Sequence, residues 1–72
     1  MNSQLDNHIA KLRAQRKISQ QQLADEIGVS RKTISTVETS RFTPSVVIAL
    51  KLANYFSVPV ERIFELRRVE SS

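Results

Sequence analysis

The chain has 72 residues, sets 11 lysines and arginines against 7 acids for a net charge of +4, and contains no cysteine. That length makes one domain. It buries only about 60% of its unfolded surface and has no disulfide or thiolate metal site to help it. The longest apolar run, Val46 to Leu50, is far short of the roughly 20 residues that cross a membrane. No signal-peptide pattern opens the chain, and the lack of cysteine suits a reducing cytoplasm.

One glycine and two prolines supply few of the turns a β-protein needs, and the apolar spacing is helical, so an all-α fold is expected. Residues 1–6 have no periodic pattern and read as a flexible segment, with a short edge segment as the alternative. Asp6 is the expected cap of a first helix reaching Arg16, with Leu5, Ile9 and Leu12 on one face. Arg13 stands at the border of that face. His8, the only histidine, reads as solvated surface. Lys17 closes the helix where positive φ is needed, which is costly without glycine.

Residues 19–41 carry the clearest grammar. Ser19 and Gln22 form a capping box, and Ile18 and Leu23 a hydrophobic staple. A second helix over Gln20–Ile27 buries Leu23, Ala24 and Ile27, and Gly28 supplies the left-handed residue after it. Ser30 caps a third helix from Arg31 to about Thr39, with Val29 and Ile34 as its staple and Ile34 and Val37 inward. So short a link between two capped helices implies a steep crossing, as in a helix-turn-helix. Arg31 and Lys32 stand in the first turn of the third helix, where cations oppose the helix dipole. An anion or base edge in front of that helix would account for them. With Thr33, Ser35 and Thr36 they make a small, polar, cationic face, suited to base edges in a major groove; the bland alternative is an ordinary solvated face.

Pro44 fits the first position of a fourth helix, capped by Thr43, reaching about Phe56 with Val47, Leu50, Ala53 and Tyr55 or Phe56 inward. Ser57 to Pro59 break it. Val60–Leu66 read as a short fifth helix anchored by Ile63 and Phe64. The alternative is a strand over Phe64–Arg67 beside the N-terminal segment. Residues 67–72 form a polar tail. Over residues 11–41, seven cations face three acids; residues 42–72 hold four against three. The basic excess thus coincides with the two-helix motif, as an anionic partner such as nucleic acid requires. An enzyme reading is poor: there are no paired carboxylates at working spacing, no partner for the single histidine, no metal-ligand cluster and no glycine-rich phosphate loop.

Arg13, Ser19-Gln20, Leu23-Ala24, Gly28-Val29-Ser30, Ile34-Ser35, Glu38, Pro44-Ser45, Leu50, Ala53 and Val60-Glu61-Arg62-Ile63-Phe64 together resemble the Xre/Cro/C1 family, the phage-repressor-type regulators of bacteria and archaea. The likeness covers residues 7–66. It implies a compact five-helix, lambda-repressor-like domain with its helix-turn-helix at helices two and three. It also implies double-stranded DNA as partner, binding as a homodimer, and no cofactor, small-molecule ligand or membrane. By the same resemblance Arg31, Lys32, Ser35 and Thr36 read bases, with Ser30 and Thr33 assisting. Gln20, Thr39, Ser40, Arg41 and Thr43 meet phosphates. Arg13 and Glu38 form a salt bridge between helices one and three, with a phosphate contact as the alternative for Arg13. Val58, Val60, Ile63, Phe64 and Leu66 are the expected dimer seam. One departure stands out: family members carry Asn-Gly where this chain has Thr39-Ser40, so either the loop turns differently or Ser40 is strained. An antitoxin or protein-binding adaptor on the same fold is the rival reading.

Overall fold

The computed structural model describes residues 5–67. The chain runs β1 (Leu5–Asn7), α1 (Ile9–Arg16), α2 (Gln20–Ile27), α3 (Arg31–Glu38), α4 (Val46–Phe56), a 3₁₀ turn (Val60–Arg62) and β2 (Phe64–Leu66). The all-α expectation holds for the bulk of the fold, but with four α-helices instead of five.

α2 and α3 begin where their caps stand. The Ser19 hydroxyl accepts from the Gln22 N–H while the Gln22 side chain accepts from the Ser19 N–H, and Ser30 accepts from the Thr33 N–H. Each cap satisfies an amide that the first helical turn leaves without a partner. The inward stripes then meet in one core of Ile9, Leu23, Ala24, Ile27, Ile34, Val37, Leu52, Phe56 and Ile63. Each of those side chains larger than Ala24 removes about 1.5–3 kcal/mol worth of apolar surface from water. Arg16 closes one flank, its guanidinium 5.1 Å from the Tyr55 ring centre and 5.4 Å from that of Phe56.

All four α-helices end in one kind of turn. A left-handed residue follows each: Lys17 (φ 58°), Gly28 (76°), Ser40 (59°) and Ser57 (57°). The next N–H then reaches back, from Ile18 to Arg13 O, Val29 to Ala24 O, Arg41 to Thr36 O and Val58 to Ala53 O. This is the Schellman closure, which satisfies carbonyls stranded at a helix end. Ile18, Val29 and Val58 pack against the core, whereas Arg41 is exposed. Lys17 thus has the positive φ expected of it. Ser40 keeps the turn that glycine would make more cheaply, and bears the strain itself.

Several boundaries differ from the expectations. Asp6 does not cap α1. It lies in β1, its carboxylate accepting from Arg67 Nε and Nη2 at 3.0 and 2.7 Å, and the Ile9 N–H is taken by Asn7 Oδ1 at 3.1 Å. Ser45, not Thr43, caps α4, accepting from the Ile48 N–H at 3.1 Å, so Pro44 precedes the helix. α4 presents Ile48, Leu52 and Phe56 to the core, one residue in each turn, and leaves Val47 and Leu50 outside. A helix apolar on every face does not mark its inward side by periodicity.

The expected fifth helix is only the 3₁₀ turn; after it the chain extends. β2 pairs antiparallel with β1 in the register Leu5 to Leu66, Asp6 to Glu65 and Asn7 to Phe64. The His8 N–H adds a bond to Ile63 O at 2.9 Å. The strand alternative is therefore the one adopted. Residues 5 and 6 are part of a sheet and not a flexible lead; residues 1–4 and 68–72, the rest of the expected N-terminal segment and tail, lie outside the described residues.

Candidate nucleic-acid interface

α3 presents its front half to solvent. At 100° per residue, Arg31, Ser35, Lys32 and Thr36 fall within an arc of about 140°, while Ile34 and Val37 point the other way into the core. Arg31 and Lys32 are exposed and make no ion pair among the described residues. The hydroxyls beside them are engaged locally. Thr36 Oγ1 donates to Lys32 O and Thr33 O at 3.0 and 3.1 Å. Ser30 and Thr33 hydroxyls lie 2.9 Å apart, with Ser30 already accepting from the Thr33 N–H. Those two therefore shape the helix start; Arg31 and Lys32 offer the open surface, with Ser35 and Thr36 half-buried beside them.

The rear of α3 is held by a polar network. Arg13 Nε donates to Glu38 Oε2 at 2.6 Å and Nη2 to Oε1 at 3.1 Å, while Nη1 donates to Ile18 O at 3.0 Å. The hydrogen bonding to the Glu38 carboxylate holds the Arg13 proton more tightly than usual, against a smaller opposing effect of burial. Gln20 Nε2 donates to the same carboxylate at 3.0 Å. So α1, α2 and α3 converge on Glu38, and Gln20 sits at the front of α2 with the second N–H of its amide engaged by no acceptor among the described residues. A bidentate pair this sheltered is specific in geometry and costly to break from one side.

The loop after α3 is mixed. Thr39 Oγ1 donates back to Ser35 O and Thr36 O at 2.9 and 3.3 Å. The Ser40 hydroxyl is turned toward Leu5 O at 3.4 Å, a long contact. Both hydroxyls are thus engaged within the chain; Thr39, Arg41 and Thr43 are exposed and Ser40 is half-buried. The expected dimer seam is dispersed as well. Ile63 is fully buried and cannot touch a partner; it is the core anchor under β2. Phe64 packs against the core, Val58 and Val60 are half-buried, and Leu66 is exposed on β2. Two features had no signal in the local pattern. One is Asn7, whose amide Nδ2 donates to Val37 O and Glu38 O at 3.1 and 3.2 Å, thirty residues along the chain. The other is an apolar surface over Phe42, Val46, Val47 and Leu50.

Two capped helices around Gly28, with the second presenting a cationic front, define a helix-turn-helix DNA-binding domain. The helix-turn-helix family profile matches residues 9–63. Over 60 residues the chain is 38% identical to an uncharacterized HTH-type transcriptional regulator of Methanocaldococcus jannaschii, covering 83% of this chain and 91% of that one. Over 62 residues it is 36% identical to the uncharacterized HTH-type transcriptional regulator YgzD of Bacillus subtilis, covering 86% and 94%. The crystal structure of a Bacteroides fragilis protein has the same fold, with a TM-score of 0.74 at 24% identity over 85% of this chain and 98% of that one. The chain belongs to the Xre/Cro/C1-type helix-turn-helix family. It is a DNA-binding transcriptional regulator, not an enzyme, and double-stranded DNA is its partner.

Proposed function

We propose that the protein is a repressor that binds a palindromic operator as a homodimer, each copy laying α3 in a major groove. The observation that carries this reading is the exposed, unpaired front of α3. Arg31 or Lys32 reaches guanine O6 and N7, the Thr36 methyl meets a thymine methyl, and Ser35 fills the space between. Ser30 and Thr33 keep the helix front in shape for this. Gln20 and Arg41 meet phosphates on either side, with Thr43 beside Arg41; Thr39 and Ser40 contribute through the backbone turn more than through their hydroxyls. The N-terminal amides of α2 and α3 add to the attraction for phosphate.

One eight-residue helix is little surface for specific binding, and a two-fold pair would set two of them about 34 Å apart on one side of the duplex. The chain offers a surface for that pairing. Phe42, Val46, Val47 and Leu50 are 49%, 73%, 61% and 58% exposed, directly after the loop that meets DNA. Leu50 continues into a shallow groove lined by Ala53, Asn54, Ser57, Val58 and Pro59. Between residues 42 and 60 the only charge is Lys51, so two copies of a +4 chain meet there with one cation each and otherwise uncharged surface. A surface so poor in cations is also unsuited to phosphate. The seam is thus the outer face of α4 with Val58 and Val60 at its edge, in place of one centred on Ile63.

Selection of bound duplexes from a random pool tests the whole reading. A palindromic consensus with half-sites one helical turn apart is expected. Arg31→Ala should lose about 1–3 kcal/mol at one base position and relax preference there; unchanged affinity and preference would remove α3 from the groove. Val47→Glu with Leu50→Glu should give a monomer by light scattering that still binds bulk DNA. A double variant that stays dimeric would move the seam elsewhere. Weak, salt-insensitive binding to any duplex would favour a protein-binding adaptor instead.

A further inference from the structure

Only Ile34 and Val37 of α3 are fully buried, because the rest of the helix must stay polar. Two apolar side chains hold a helix against a core but do little to fix its tilt. The front of α3 is free for DNA, so its tilt has to be set from the rear. Glu38 supplies part of that constraint through Arg13 and Gln20.

Asn7 supplies the other part. Its Nδ2 spans the carbonyls of Val37 and Glu38 at 3.1 and 3.2 Å, while its Oδ1 accepts from the Ile9 N–H at 3.1 Å. The amide can sit only this way round. Reversed, it would aim its oxygen at two carbonyl oxygens and its NH₂ at an N–H. The Asn7 backbone in turn belongs to β1 and pairs opposite Phe64 of β2. A single amide thus joins the last turn of α3, the first turn of α1 and the sheet. α3 is about 12 Å long, so a tilt of about 5° at the rear moves the front by about 1 Å, more than the range over which a hydrogen bond to a base edge survives.

We propose that Asn7 is a positioning residue for DNA reading: through its two bonds to the end of α3 it sets where Arg31 and Lys32 stand in the groove, without touching DNA. The inference rests on the groove-reading role of α3 given above. It makes the strand pairing part of the DNA-binding machinery. A recognition helix that rocks loses base contacts first, while phosphate contacts, which tolerate more displacement, remain.

The test separates this role from simple capping of α1. Asn7→Ser retains a cap oxygen for the Ile9 N–H but cannot reach Val37 or Glu38; Asn7→Ala loses both. Wild type and both variants are titrated with a duplex selected from a random pool by the wild type and with poly(dI-dC), at a temperature where circular dichroism shows all three folded. Asn7→Ser is expected to recover part of the thermal stability lost by Asn7→Ala, yet to bind the selected duplex about tenfold more weakly than wild type, with poly(dI-dC) binding nearly unchanged. Amide exchange should quicken at residues 39–41 and not in α2. If Asn7→Ser binds the selected duplex as wild type does, Asn7 is a cap and the proposal falls. Equal losses on both duplexes, in step with stability, also overturn it. Failure of the wild type to bind either duplex would instead remove the DNA reading on which the proposal stands.

Discussion

The ends of α3 and α4 are built on the same backbone turn and secured by different chemistry. Ser40 and Ser57 both adopt left-handed φ, and Arg41 and Val58 both send an N–H back to the helix. After α4 the next side chain, Val58, packs against the core. After α3 it is Arg41, exposed, and the helix end is held by Glu38, Arg13, Gln20 and Asn7. α4 is apolar except at Lys51 and Asn54 and has surface to spare for anchoring. α3 must keep most of its surface polar and open, so hydrogen bonds hold what apolar packing cannot. On the reading proposed for α3, contact with DNA shapes the inside of the protein as well as its surface.

Changes at the two ends break or sharpen this contrast. Glu38→Ala has the largest expected effect. It strands the sheltered Arg13 guanidinium and should lower stability by about 3 kcal/mol in urea unfolding; a loss under about 1 kcal/mol would show that the polar network is ornament. Val58→Arg gives α4 the residue that α3 has. It removes a half-buried apolar contact and should cost about 1–2 kcal/mol in the same assay. Ser57→Gly relieves left-handed strain and should add about 1 kcal/mol, seen as a rise of about 4–8 °C in melting temperature. Arg41→Val, the reciprocal exchange, should change stability by no more than about 0.5 kcal/mol. It should nonetheless reduce the slope of log affinity for DNA against log salt by about 1. If Arg41→Val left that slope untouched, its exposure would have no functional reason.

The same contrast explains what was legible in the residues. α2 and α3 were plain because their signals are local: Ser19 with Gln22, Gly28 alone among its neighbours, Ser30 before a basic turn. The left-handed Lys17 is readable from a helix end, whereas the Arg13–Glu38 pair is expected only from the family resemblance. The start of α4 was harder because Thr43, Pro44 and Ser45 offer competing caps, and its inward face was obscured by apolar residues all round. β1 and β2 are three residues each, too short for a period, and each is defined by the other from the far end of the chain. Asp6 was drawn into that pairing and left the capping role to Asn7. Nothing near Asn7 shows that its amide meets Val37 and Glu38. On the α3 face, residue type is enough to expect Arg31 and Lys32 in solvent, where they stand, but it could not show that the Ser30, Thr36, Thr39 and Ser40 hydroxyls are spent within the fold.

The pairing of Leu5 with Leu66 also implies a sequence of events when the chain is made. Helical turns form between near neighbours, whereas joining segments some 60 residues apart carries a larger loop-closure entropy. The strands should zip last, after the helices have collapsed on one another. Since Asn7 rides on β1, α3 gains its final alignment only in that closing step, and refolding followed by the recovery of DNA binding should lag behind the recovery of helical ellipticity.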